Sequence, residues 1–580
     1  MTFIRSLIAP VAALCLVGCQ TVPAPQTSAE TGTSTGTGVV QAADPRAAQA
    51  GREMLRRGGS ATDAAIAVML ALTVVEPQSS GIGGGGFMVR GLADGTVTTF
   101  DGRESAPAAA GPEWFFGPDG EPQGYGDVVL TGLSVGVPGN IALAARAHES
   151  HGKLAWAELF GPAIALAEGF VMNPRLHQSL EGSIDRAGQD ATMRAIFYDD
   201  DGEPRPIGST ITRPRLAETF RTLAAEGPDA MYGGEAAGAL ASHIAANTPG
   251  DAAMQPSDIS NYEAKEREAL CGTYRDYRIC SMGPPTSGGI ALLQILGQLE
   301  RFDLAAMGPE STQFWHLFAQ SQLLAYADRE IYTGDADYVA VPARELIAPD
   351  YLAARSMLID PARALGDYEA GHPVGSLASY ADGDEPVEHG TTHFVAVDGD
   401  GAMVSYTSTV EGGFGSGLQF GGYYLNNELT DFSFSPTRDG KPVANRVEGG
   451  KRPRSSMSPA MVWAPDGKPF LVIGGAGGPF IPVQTARSII GIIDFGLPLE
   501  DAFSLPIVMG FGPSLFVESD TWLAGHTQAL ETMGYATIRT GPQPFGSVGQ
   551  VGAINAGGGW TTAYDPRFRG RLEATPNAAD

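Results

Sequence analysis

EHGTTHFVAVDGDGAMVSYTSTVEGGFGSGL, residues 388–418, decides how the chain is read. His393 to Val397 alternates side-chain faces, Asp398-Gly399-Asp400-Gly401 supplies turn chemistry, and Met403 to Val410 resumes a β-branched, alternating pattern. Two strands joined by a tight turn are therefore expected. Gly390-Thr391 stands directly before the first strand. A cut between them would leave Thr391 with a hydroxyl and a free α-amine on one residue. An α-amine has an ordinary pKa of about 7.7–8.0, so near neutral pH it can take the hydroxyl proton, directly or through a water. Thr-Thr-His before a hairpin is also an ordinary strand entry, because threonine favours strands. The rest of the chain must choose between these readings.

The chain has 580 residues, enough for several domains or one large one. Lys plus Arg is 37 against 65 Asp plus Glu, a net charge of -28, which disfavours nucleic acid as a partner. The 77 glycines and 41 prolines imply many tight turns, while 43% hydrophobic residues exclude wholesale disorder.

The N-terminus reads as a targeting segment. Arg5 precedes an apolar run, Leu7 to Val17, too short to span a bilayer. The run ends in Leu16-Val17-Gly18-Cys19, which resembles the bacterial lipoprotein lipobox. That resemblance implies cleavage after residue 18 and acylation of Cys19; an ordinary signal peptide with an incidental cysteine is the alternative. Residues 19–40 are rich in Thr, Ser, Gly and Pro and read as a flexible tether. A globular body at a membrane surface outside the cytoplasm, periplasmic or at the outer membrane, is the expectation. Beyond the leader, Cys271 and Cys280 flank TYRDYRI in an apparent hairpin, and an oxidising compartment permits a disulfide there. Their spacing fits neither a CxxC redox motif nor a zinc site.

Along the body, Ser60 is a plausible N-cap for a buried helix, AAIAVMLALTVV. Gly83 to Gly86 predict close backbone approach; a strand rather than a helix follows them, so a phosphate loop is rejected. A hairpin turning at Asp94-Gly95 leads to Arg103, whose planar guanidinium suits a carboxylate. Gly132-Leu133-Ser134-Val135-Gly136 matches the G-x-S-x-G elbow, but Pro138 and Gly139 follow and the helix is placed from Asn140, so a serine hydrolase is rejected. His148 and His151 lack zinc-helix spacing and are read as solvent-facing. Residues 155–330 read as mainly helical. After the central hairpin come LNNELTDFS (425–433), KRPRSSMSP (451–459) and GGAGGPF (474–480). Gly477-Gly478 lies between a buried strand and a helix, where a turn offers free backbone N–H groups to an oxyanion.

Together these stretches resemble the γ-glutamyltranspeptidase (γ-glutamyl hydrolase) family. The likeness runs from about residue 40 to DPRFRG and includes DAAIAVMLALTVVEPQSSGIGGGGF, FDGRESAPA, GVPG, GPPTSGG, AYADREIYTGDADYVAVP, TTHFVAVD, GFGSG, LNNELTDFS, KRPRSSMSP and the GAGG turn. The resemblance implies an α/β (α+β) four-layer αββα sandwich of the N-terminal nucleophile hydrolase type. It also implies autocatalytic cleavage between Gly390 and Thr391, giving a large subunit (41–390) paired with a small one (391–580) in one domain. Thr391 would be the nucleophile, Thr409 the second threonine assisting its amine, and Gly477 and Gly478 the oxyanion pair. Arg103, Ser455 and Ser456 would hold a donor's α-carboxylate, and Glu428 and Asp431 its α-ammonium group. No metal or organic cofactor is implied; glutathione-like donors and water, amino acid or peptide acceptors are.

Two departures stand out. Glu411 occupies a position where the family usually has Asn against the donor's amino group. The stretch between Asp431 and Ser455 is short and lacks a clear aromatic gate, which suggests an open site. Two rival readings remain: a cephalosporin or glutaryl acylase of the same fold, and an uncleaved, inactive lipoprotein that binds peptides or partners.

Overall fold

The strands Thr392–Asp398 and Met403–Thr409 pair antiparallel around the Asp398–Gly401 turn, with Ser408 opposite Thr392 and Met403 opposite Val397. Gly401 takes φ 83°, the left-handed conformation this turn needs. These strands sit inside a six-stranded antiparallel sheet of a computed structural model that describes residues 38–250, 253–366, 368–376, 379–383, 390–542 and 549–568. The order across the sheet is Gly38–Ala42, Thr392–Asp398, Met403–Thr409, Gly85–Gly91, Val97–Gly102 and Lys265–Arg267. A second antiparallel six-stranded sheet runs Gly559–Tyr564, Gly549–Ala556, Pro469–Ala476, Ala460–Trp463, Tyr277–Ser281 and Leu270–Tyr274.

Side-chain alternation on the Thr392–Asp398 strand divides the layers. Val395 and Val397 join Phe87, Val89, Met461, Trp463 and Val472 in the core between the sheets. Phe394 and Ala396 point the other way, into a core with the helices Pro45–Arg56 and Ala61–Val75. Every residue of Ala61–Val75 is buried, and Ser60 closes its N-terminus in a capping box with Asp63. On the far side, Leu471 and Ile473 pack against Gly288–Leu299, Thr312–Tyr332 and Phe480–Ile493. The outcome is helix, sheet, sheet, helix, the expected four layers.

The glycine run behaves as predicted. A methyl group at Gly83 would lie 2.0 Å from the Tyr424 carbonyl oxygen, and one at Gly84 1.9 Å from that of Thr409. Cys271 and Cys280 face each other across their hairpin and form a disulfide. Ser134 is buried, its hydroxyl donating to the carbonyls of Val129 and Thr131, so the G-x-S-x-G match carries no exposed nucleophile.

Two expectations need correction. The body begins earlier than the tether boundary implied, because Gly38, Val39 and Val40 already pair with Asp398, Val397 and Ala396. The two apolar valines are what the sheet recruits. His148 and His151 are half-buried rather than free in solvent: His148 Nε2 lies 2.9 Å from the Leu154 carbonyl oxygen, and His151 stacks edge-on against Phe100 at 5.8 Å. The 155–330 stretch is mainly helical, as read, and the apparent hairpin around Cys271 and Cys280 is the strand pair Leu270–Tyr274 and Tyr277–Ser281, preceded by a short strand, Lys265–Arg267. Cys19 and the leader lie outside the described residues, and among the described residues no helix is long and apolar enough to cross a membrane.

Candidate active site

Thr391 stands at the head of its strand, 4% exposed, still joined to Gly390. The Gly390 carbonyl oxygen accepts from the hydroxyls of both Thr391 and Thr409, the latter at 2.9 Å. Thr409 Oγ1 itself accepts from the Glu411 N–H at 2.8 Å, which leaves its own proton for Gly390. A methyl group at Gly390 would meet the Glu411 carbonyl oxygen at 2.2 Å, so a glycine before Thr391 is a steric requirement. The carbonyl of the 390–391 bond is thus polarised by one hydroxyl beside the hydroxyl that can attack it.

His393, two residues on, is no relay. Its Nδ1 lies 2.8 Å from Thr407 Oγ1, and burial drops its pKa to about 3, so the ring stays neutral.

The acidic string folds into a short 3-10 turn, Glu428–Asp431, whose Leu429 is anchored with Phe432 in a small core around Phe115 and Leu133. The turn presents Glu428 and Asp431 to Arg103, and both form ion pairs with its guanidinium. Arg103 Nε and Nη2 also donate to the carbonyls of Pro453 and Arg454, at 3.1 and 2.8 Å, which ties the arginine to the segment leading into Ser455-Ser456. Ser456 Oγ accepts from Arg329, and Ser455 Oγ from the Met457 N–H. The GPPTSGG segment holds this stretch in place: Thr286 Oγ1 and Ser287 Oγ donate to the Ser455 carbonyl. Arg103, Glu428, Asp431, Ser455 and Ser456 are therefore together, as expected. Their arrangement differs from the expectation in one respect: cation and anions, predicted at opposite ends of a ligand, are in direct contact.

The cluster holds more acid than base, because Glu104, unnoticed in the sequence, joins it. Apart from Glu104's own backbone N–H and the carboxyl-to-carboxyl contact between Glu104 and Glu428, no donor among the described residues reaches either Glu104 oxygen or Glu428 Oε2. Burial pushes the Glu104 carboxyl up to about 7 against the pull of Arg103. Burial likewise lifts Glu428 well above its ordinary value, opposed by Arg103 and reinforced by Glu104 and Glu411. A proton shared between Glu104 and Glu428 meets the deficit, and an arriving ammonium would meet it better. Gly85 makes room, since a methyl there would lie 2.5 Å from Glu104 Oε2.

Gly477 and Gly478 occupy the turn between Pro469–Ala476 and Phe480–Ile493 with φ 119° and 54°. Their carbonyls cap the first helical turn, and among the described residues neither N–H has an acceptor. Pro479 and Asp431 line one cavity of about 1020 Å³, together with Tyr326, Arg329 and Arg454. Ser379, Tyr380 and Asp382, which precede the 390–391 bond, line the same cavity. Among the described residues no group of three or more His, Cys, Asp or Glu side chains is placed to hold a metal.

With this geometry in view, comparison with known proteins decides the family. Residues 47–575 match the profile described as Gamma-glutamyltranspeptidase. The chain belongs to the gamma-glutamyltranspeptidase family. It is 35% identical over 555 residues to the glutathione hydrolase proenzyme of Bacillus subtilis (strain 168), covering 93% of this chain and 91% of that protein. It is 33% identical over 534 residues to the acylase ACY 1 proenzyme of Pseudomonas sp. (strain SE83), covering 91% of each. Among solved structures, cephalosporin acylase from Bacillus halodurans superposes with a TM-score of 0.81 at 25% identity, over 95% of this chain and 98% of that one. Family membership makes the chain an enzyme of the N-terminal nucleophile type, whose precursor is processed.

Proposed function

We propose that the protein is a self-processing γ-glutamyltransferase and hydrolase that cleaves the γ-glutamyl amide of glutathione and related compounds. The observation that carries this reading is the acid-rich Arg103–Glu104–Glu428–Asp431 cluster, which connects through Gly85, against Glu104 and paired with Thr409, to the Gly390–Thr391 bond. A γ-glutamyl donor ends in a free amino acid with one carboxylate and one ammonium. Arg103 and the Ser455-Ser456 hydroxyls suit the carboxylate, and the surplus carboxyls suit the ammonium.

In the precursor, Thr391 Oγ1 attacks the Gly390 carbonyl carbon while Thr409 donates to its oxygen. The C–N bond breaks, the hydroxyl proton passes to the departing nitrogen, and water hydrolyses the resulting ester. Thr391 then has a free α-amine. For each turnover that amine takes the hydroxyl proton, Oγ1 attacks the donor's γ-carbonyl, and the leaving amine receives the proton. The N–H groups of Gly477 and Gly478 stabilise the oxyanion. Water or an acceptor amine resolves the γ-glutamyl ester and regenerates Thr391.

The second reading, a cephalosporin or glutaryl acylase, is favoured by the relatives that carry the acylase name. Hydrolysis of γ-glutamyl-p-nitroanilide and glutaryl-p-nitroanilide separates the two. The γ-glutamyl substrate should be preferred by at least about tenfold in kcat/KM, because only it fills the ammonium site. A glutaryl preference would overturn the donor assignment. The leader supports a further proposal: cleavage after residue 18 and acylation of Cys19 anchor the enzyme to a membrane outside the cytoplasm. Labelled palmitate should enter the wild type and not Cys19→Ala; an unlabelled wild type would refute the anchor.

A further inference from the structure

Glu411 is held in an unusual way. It takes φ 70°, rare for a residue with a side chain, and opens a loop in which Phe414, Gly415 and Gly417 also have positive φ. The Asn427 amide governs where its carboxylate sits. Asn427 Oδ1 accepts two hydrogen bonds, from Arg186 Nη2 at 2.8 Å and from the Gly412 N–H at 2.9 Å. Its Nδ2 donates two, to Glu411 Oε2 and to Thr430 Oγ1. All four positions on the amide are used, so its orientation is fixed: turned over, it would set Nδ2 against two other donors.

Arg186 comes from far away in sequence, on the short helix Ile184–Ala187. It lies flat along the Glu411–Gly417 loop. Its Nε donates to the Gly415 carbonyl, and a methyl at Gly412 would sit 2.4 Å from its Nη2. Gly412 is thus the notch that admits the guanidinium. Asn427, Glu411 and Glu428 are buried, whereas Arg186 is half-buried at the edge. Glu411 acts electrostatically on Glu428, and Tyr125 lies within reach of Glu411, Asp431 and Arg186.

We propose that Arg186, supplied by the large-subunit half of the chain, is a positioning residue that acts through Asn427 to fix Glu411 as a third carboxylate facing the donor's α-ammonium group. This rests on the γ-glutamyl reading above. Where Arg186 is absent, Asn427 Oδ1 keeps only the Gly412 N–H, the amide is held less firmly, Glu411 drifts from Glu428 and Asp431, and the ammonium site weakens. The nucleophile and the oxyanion turn are untouched.

The test uses the processed enzyme, with γ-glutamyl-p-nitroanilide and glutaryl-p-nitroanilide as probes, and the variants Arg186→Ala, Arg186→Lys, Glu411→Asn and the Arg186→Ala/Glu411→Asn double. For the γ-glutamyl substrate, Arg186→Ala should raise KM by about tenfold with kcat within about twofold, and Arg186→Lys should recover part of it. In the Glu411→Asn background the same arginine change should cost less than about twofold, because no carboxylate remains to be fixed. The glutaryl substrate, lacking the ammonium, should keep its KM in every variant. Equal losses on both substrates, a loss in kcat alone, or additive costs in the double variant would overturn the proposal. Should Arg186→Ala fail to fold, Arg186→Lys against Glu411→Asn gives the same comparison. A wild type that prefers the glutaryl substrate would defeat the donor reading itself, which is a different result from any of these.

Discussion

Two buried arginines bind carboxylates on opposite faces of the strand that Thr391 begins, and they do so with different accounts of charge. Arg175 pairs with Glu76 on the helix side, and Glu76 also accepts from Thr392 Oγ1 at 2.9 Å. The guanidinium further sits 4.7 Å over the Phe568 ring. Burial lifts the Glu76 carboxyl, yet the pair is one to one and its hydrogen bonds close. Arg103, on the other side, faces Glu428 and Asp431 with Glu104 next to them, and among the described residues three of those carboxyl oxygens lack a donor beyond the cluster and Glu104's own backbone N–H. A matched buried pair serves the fold; a surplus of one sign in a buried cluster is a site awaiting a ligand of the other sign.

The contrast breaks most visibly at Arg103. Arg103→Ala should lower kcat/KM for a γ-glutamyl anilide by about 10³-fold, with partial recovery in Arg103→Lys. Arg175→Ala should instead cost about 3–5 kcal/mol in urea unfolding, while the folded, processed enzyme keeps kcat/KM within about threefold. If the two variants exchange these phenotypes, the distinction between them is wrong. Glu428→Gln removes one surplus charge, so it should raise KM by about ten- to a hundredfold for the γ-glutamyl donor and leave stability unchanged or slightly higher. The smallest effect is the pH dependence of stability. The folded state lifts Glu104 from 4.5 to about 7, so between those values it holds a proton that the unfolded chain releases. Stability should therefore fall as pH rises through that window, by about 1–3 kcal/mol, and Glu104→Gln should flatten the slope. A slope of the opposite sign in denaturant melts would contradict the shared-proton account.

What could be read from the chain alone follows from how local the cause is. The Thr392–Asp398 hairpin, the Ser60 cap, the glycine crowding and the Cys271–Cys280 bridge each declare themselves within a few residues. The donor-site residues were legible only as separate strings whose order resembled a family; spacing gave no hint that Arg103 would touch Glu428 across 325 residues. Glu104 adjoins Arg103, yet adjacency at a strand end says nothing of which carboxyl is buried. Arg186 and Arg175 carry no local signal at all: their partners Asn427 and Glu76 stand 241 and 99 residues away. His148 has a near partner, yet the Leu154 carbonyl that holds it depends on how the chain turns after the helix, which the local pattern does not show.

The central claim is that the bond between Gly390 and Thr391 is cut by Thr391 itself. Intact mass and N-terminal sequencing of purified wild type beside Thr391→Ala test it most directly. The account predicts a small subunit beginning at Thr391 in the wild type and a single uncut chain in the variant. An uncut wild type, or a variant that is cleaved as completely as the wild type, would contradict it.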